Sequence, residues 1–286
     1  MRLAFLMIFG CGLFGCIEPT DVGGNTDPTE IGSAPLCLEK LDVLVVVDNS
    51  ASMCEEQRRL SAEIAALDQH LSERGIDWRL AVTSTDMNRA TGHRGRFLAQ
   101  PALAKPAPSC PPVGDEITTP DTADCMDLPD GITLDEVFRG DVSTDPEVRA
   151  RLLRCMTSIG NEGHGFEKGL EAMRLALSCD GPNADRFGAC CVDGRYDPTC
   201  APKSEPSFLR PDAVLAVIVL SDEDDCSDPH SNHNTIRGAA CADSNDPACR
   251  VYEDAIANCA WERHKLVPVG EYETFLRSLK VSPDRQ

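Results

Sequence analysis

The sequence predicts an α/β protein built on a doubly wound, mostly parallel sheet and interrupted by disulfide-rich insertions. Three observations carry that prediction. Two apolar runs rich in valine and isoleucine, Leu41 to Val47 and Ala213 to Leu220, read as strands buried on both faces. Each run opens directly into a loop crowded with hydroxyls and carboxylates. Amphipathic stripes at helical spacing alternate with these and one further strand, the pattern of a sheet covered on both sides.

The elements follow in chain order. Leu41-Asp-Val-Leu-Val-Val-Val47 places Asp48 at the C-terminal end of a strand. Leu60, Ile64, Leu67 and Leu71 recur every three or four residues and form one stripe of a helix that stops at Gly75. Trp78, Leu80 and Val82 alternate with other residues, so a second strand runs to Thr83-Ser-Thr85-Asp86. Residues 87–130 are rich in Pro, Gly and Asp and include Cys110 and Cys125, which marks an insertion. Asp145-Pro146 is a helix start, a capping carboxylate followed by proline in the first turn, and Val148, Leu152 and Cys155 or Met156 continue it. Phe166, Leu170, Met173 and Leu177 form the next stripe, closed by Asp180-Gly181-Pro182. A second insertion over about 179–205 carries Cys190, Cys191 and Cys200, and a third over about 226–259 is again cysteine-rich, with a helix expected around Val251 to Trp261. Tyr272, Phe275, Leu276 and Leu279 predict a last helix. No repeat of fixed period is visible.

The 286 residues suffice for one such domain of about 200 residues with appendages. Lys and Arg total 27 against 47 Asp and Glu, a net charge of −20 that repels phosphate backbones and excludes nucleic acid as the expected partner. Arg2 followed by the apolar run Leu3 to Phe14 reads as an export signal, too short to span a bilayer as a helix. Leu13-Phe14-Gly15-Cys16 resembles a bacterial lipobox, with Ile8-Phe9-Gly10-Cys11 as an earlier partial match. The expected organisation is therefore a lipoprotein-type signal over residues 1–16 with lipidation at Cys16, a flexible tether over 17–36 rich in Gly, Pro and Thr, and a domain over 37–286. Ile17 after the cysteine supplies no aspartate retention signal, which by analogy directs the anchor to the outer membrane. Fifteen cysteines fit an exported, oxidised protein. Setting aside Cys11 and Cys16 leaves an odd number, so at least one thiol is free or pairs outside the chain, with Cys54 a candidate.

The loop Asp48-Asn-Ser50-Ala-Ser52 offers hard oxygen ligands two residues apart, a spacing that turns successive oxygens toward one small cation. Placed between a valine-rich strand and an amphipathic helix, with Asp222 at the end of a later buried strand, it closely resembles the metal-ion-dependent adhesion site of von Willebrand factor type A (VWA) domains. The resemblance covers roughly Leu41 to Lys280. It implies a VWA/Rossmann-like fold and a divalent cation, Mg²⁺ with Mn²⁺ or Ca²⁺ as alternatives, held directly by Ser50 and Ser52 and through water by Asp48 and Asp222. Asn161 stands where the family places a threonine ligand, with Thr157 as the alternative. The resemblance also implies an open coordination position filled by an acidic group of a protein or surface-polymer partner, which is binding without catalysis. A complete domain of this kind carries one more strand after the helix near Leu279, and Val281 to Gln286 is too short and polar to supply it, so either the chain is truncated or the sheet lacks its last strand.

Other constellations point elsewhere. Asp222, Glu223, Asp224, Asp225 and Asp228 could hold a second, Ca²⁺-like ion or form a solvated acidic loop. His230 and His233 with Cys226, Cys241 and Cys249 invite a zinc site, against which stand irregular spacing and the pull of disulfide pairing. A disulfide-rich metal-dependent hydrolase using the Asp222 to His233 region is the alternative function. His164 lies between two glycines without an identifiable nucleophile, and Asp86 either borders the metal face or caps a turn.

Overall fold

A computed structural model describes residues 39–50, 52–87, 92–98, 137–140, 145–161, 163, 167–201, 207–227 and 266–280, together with the main-chain placement of three short strands ahead of them. Those strands are β1 (Phe5–Phe9), β2 (Cys16–Ile17) and β3 (Leu36–Cys37). The two ends of the segment read as a tether meet, because β2 and β3 pair antiparallel.

The main sheet is mixed and mostly parallel at its centre. β4 (Lys40–Val47) lies between β5 (Asp77–Ser84) and β9 (Val214–Leu220), parallel to both. Two antiparallel strands flank them, β6 (Phe138–Arg139) on β5 and β1 on β9, giving the order β1-β9-β4-β5-β6. Sequence patterning did not reveal β6, since two residues are too few to show alternation. Parallel registration has one consequence for function. Val47, Ser84 and Leu220 are paired neighbours, so the residues after them emerge side by side at the same end of the sheet. Asp48 donates its amide to the Leu220 carbonyl at 2.9 Å, and Thr85 donates to Val47 at 3.0 Å.

Helices cover both faces, as the period-two alternation of β4 requires. Val43, Val45 and Val47 face a core shared with Ile64 and Leu71 of α1 (Cys54–Glu73) and with Leu152, Leu153 and Met156 of α2 (Pro146–Thr157). Leu44 and Val46 face the opposite core, filled by Ala172, Met173 and Ala176 of α3 (Gly169–Ala176) and by Tyr272 and Leu276 of α4 (Val269–Ser278). α2 begins as expected, with Asp145 accepting from the amides of Glu147 and Val148. α3 is shorter than its stripe suggests. It stops at Ala176, whose carbonyl accepts from the Asn183 side chain at 3.0 Å, and the Asp180-Gly181-Pro182 turn comes only after this side-chain closure. α1 and α2 are joined by Asp68, which receives Nε and Nη2 of Arg149 on its two carboxylate oxygens and the Trp78 indole N–H at 3.1 Å.

The insertion over 179–205 folds around a short hairpin, β7 (Cys191–Val192) and β8 (Arg195–Tyr196), turned by Asp193 and Gly194 at positive φ. Disulfides Cys179–Cys191 and Cys190–Cys200 fasten it. Cys54, expected as a candidate free thiol, is instead disulfide-bonded, and so are Cys155 and Cys226. At the end of the sheet remote from Asp48, Arg210 is buried against Asp42 (2.8 Å) and Asp77 (2.6 Å), and Lys280 beyond α4 donates to the Arg210 carbonyl at 2.6 Å. Most of the 87–130 and 226–259 insertions lies outside the described residues, as do the helix expected near Val251, the side chain of Cys16, Phe166, His164, Asp228, His230, His233, Cys241 and Cys249. No described helix is long and apolar enough to cross a membrane.

Candidate functional site

The strand ends bring Asp48, Ser50, Ser52 and Asp222 together. Asp48 is fully buried, and its carboxylate is held on both sides, Oδ1 by the Ser50 amide at 2.8 Å and Oδ2 by the Ser221 hydroxyl at 2.6 Å. That grip turns the loop so that the Ser50 and Ser52 hydroxyl oxygens stand 3.1 Å apart, with Ser52 donating to Asp222 Oδ1 at 3.2 Å. Gln57, in the first turn of α1, fixes the loop from behind by donating to the Asp48 carbonyl at 2.9 Å and the Gly160 carbonyl at 2.8 Å. The loop after α2 is thereby laid across the first. Gly163 donates to the Asn49 carbonyl at 2.7 Å and sits so close to the Asn49 side chain that a Cβ there would lie 2.3 Å from it.

Asn161 is anchored beside the chain that follows the loop. Its side-chain amide donates to the Cys54 sulfur at 3.0 Å, at the start of α1. Thr157, the alternative, bonds back into α2 through the Leu153 carbonyl at 2.9 Å and approaches Ser61. Asp86 is buried beside Ser84 and donates its amide to the Ser84 hydroxyl at 3.2 Å. That hydroxyl also bonds His93 Nδ1 at 2.7 Å, but Ser84 is fully buried, so the pair offers no accessible nucleophile.

Two residues that sequence reasoning missed complete the acidic end. Ser221 holds Asp48 as described. Glu167, 1% exposed, lies against the Asp48 carboxylate and accepts the Thr85 hydroxyl on Oε2. Burial and then the Asp48 charge push the Glu167 carboxyl up to about 9, so it is neutral at pH 7 and carries the proton that contact with Asp48 requires. Glu223 is raised for the same reasons, burial first and then Asp48 and Asp222. Asp225 caps α3, accepting from the Leu170 amide at 2.9 Å and the Ser227 amide at 3.1 Å.

The donor set can be tested against a hard cation. Octahedral Mg²⁺ at oxygen distances of about 2.1 Å separates neighbouring ligand oxygens by about 3.0 Å. The Ser50–Ser52 and Ser52–Asp222 spacings of 3.1 and 3.2 Å, which are hydrogen bonds here, also match two such edges, so these residues fit such an ion. They fit it as a mixed hydroxyl and carboxylate set completed by water. Among the described residues no three Asp, Glu, His or Cys side chains converge as a metal centre made of those groups alone would need. No family model, curated protein or solved structure matches the chain.

Proposed function

We propose that the chain is a VWA-like, lipid-anchored protein of the cell envelope that binds an acidic group of a protein or surface polymer through a divalent cation at the Asp48 loop. The observation that carries this reading is the convergence of the Ser50, Ser52 and Asp222 oxygens at octahedral-edge spacing, on the end of a parallel sheet where loops gather. Ser50, Ser52 and Asp222 would hold the ion, and Asp48 would orient them and place its charge one water away. The ion supplies a positive centre that two anionic groups can share. The role proposed is binding without bond breaking. Disulfide pairing among the described cysteines supports an oxidising compartment, and the lipobox-like Cys16 supports anchoring there.

The test is thermal unfolding with and without Mg²⁺ or Mn²⁺, for the wild type and for Ser50→Ala with Ser52→Ala. The wild type gains RT ln(1 + [L]/Kd), about 2.7 kcal/mol when the ion stands at a hundred times its Kd, and the double variant gains nothing. Equal gains in both proteins would move the ion elsewhere and overturn the assignment.

A further inference from the structure

β9 has β4 on one side and β1 on the other. β1 pairs with it antiparallel over five residues, in a register that sets Phe5 beside Val219, Met7 beside Val217 and Phe9 beside Leu215. Yet Phe5–Phe9 falls within the segment read as an export signal ending at Cys16. Processing there removes β1 and leaves the outer main-chain donors and acceptors of Leu215–Val219 without that strand. Natural sheets blunt an exposed edge with lysine, proline, a bulge or a very short strand. β6, at the opposite edge, is blunt because it is two residues long. β9 carries none of these devices, since its seven residues are all apolar and pair without interruption with β4. It is built as a strand with a neighbour on each side.

The chemistry of an occupant follows from what borders the edge. Leu215 and Val217 belong to one core and Val214 and Ala216 to the other, with Val219 and Ile218 packed on the same respective cores. A strand beside β9 therefore meets apolar layers over both of its faces, which calls for consecutive rather than alternating apolar residues, as in Phe5-Leu-Met-Ile-Phe9. Antiparallel pairing puts the start of the added strand at the end of β9, where Ser221 leads into Asp222 and the exposed Glu223 and Asp224. Basic residues ahead of the apolar run meet those carboxylates, and Arg2 stands three residues before β1. We propose that the β9 edge of the processed protein receives an extended segment of a partner protein, antiparallel, with a basic residue followed by about five apolar ones. A second copy of the chain is disfavoured, because each carries a net charge of −20. The proposal rests on the reading that Cys16 becomes the first residue, and it is independent of the ion at Asp48.

The probe is a fluorescein-labelled peptide of residues 2–9, followed by anisotropy with three proteins. These are the processed protein purified from membranes, the full chain, and the full chain with Met7→Pro and Ile8→Pro, which removes two successive ladder donors from β1. The processed protein and the proline variant are expected to bind at least about tenfold more tightly than the full chain, whose edge is already filled. Two N-methylated peptides separate main-chain pairing from apolar adhesion. Successive residues of an antiparallel strand direct their amides to opposite sides, so methylation at Leu6 and Ile8, or at Phe5, Met7 and Phe9, should abolish binding in one case and spare it in the other. Arg2→Glu in the peptide should weaken binding several-fold. Loss of binding with both methylated peptides or with neither would overturn the proposal, as would equal binding by all three proteins. A processed protein that sediments as a dimer, undisturbed by the peptide, would also overturn it and give the edge to a second copy. Mass spectrometry of the mature N-terminus reads the processing separately. Peptide binding by the proline variant of a chain not cut at Cys16 would support the acceptor edge and remove only the lipoprotein reading.

Discussion

Gln57 shows how a single side chain holds a site it does not belong to. Its amide group donates to the carbonyls of Asp48 and Gly160, and in Gln57→Ala both lose their partner beside a buried loop. Destabilisation of about 1–3 kcal/mol in urea unfolding is expected, with weaker gain from Mg²⁺ because Ser50 and Ser52 are no longer held in register. An unchanged midpoint would mean that water replaces the amide at no cost. His93 supplies a pH-dependent contrast. Burial lowers its pKa, with Asp86 opposing, so the unfolded chain binds the proton more readily and stability falls as pH drops through about 6.5. His93→Asn should remove that part of the acid slope, and an identical slope in both proteins would assign it to other groups. Asp48, Ser50, Ser52 and Asp222 were legible in the sequence because they sit in the two polar loops that open from the buried, valine-rich strands. Glu167 and Ser221 were not, since their roles arise only when loops more than fifty residues apart in the chain are laid against Asp48.

At the scale of elements, α2 and α3 are set by their ends. Asp145 caps α2 with one carboxylate oxygen on two amides, and Asp145→Ala is expected to cost about 0.5–2 kcal/mol in chemical unfolding. The signal for this was local, a carboxylate before a proline, and so it could be read directly. The exit of α3 was not local. Gly181 packs against the Leu175 carbonyl so closely that a Cβ would overlap it at 1.9 Å, and Asn183 reaches back to Ala176 and Gly95. Gly181→Ala should therefore destabilise although its backbone lies in an ordinary region, and a neutral result would show that the turn relaxes. Apolar periodicity reports which residues face the core, and it does not report where side chains from another segment close a helix.

Across the whole molecule, stability is shared between two cores and covalent or ionic fasteners at the periphery. Arg210→Met would leave the buried Asp42 with the residue 210 amide and, as its nearest cation, the more distant Lys280 at 3.7 Å, and is expected to cost about 3–5 kcal/mol by thermal or urea unfolding. The α/β architecture was legible because valine-rich strands and amphipathic stripes are strong, repeated signals. The partners of the sheet edges were not, since β6 is two residues long and the pairing of β1 with β9 joins segments some two hundred residues apart. The central position of β4 has a further consequence on the axis of time. Its amides are bonded within a strand flanked on both sides and covered on both faces, so deuterium can reach Val43 to Val46 only when the entire domain opens. The Asp48 amide, bonded to Leu220 at the end of that strand, sits on the boundary between this slowest-exchanging region and the loop that would meet an ion. Its exchange rate, compared with that of Val45 with and without Mg²⁺, would separate local protection by the ion from stabilisation of the whole.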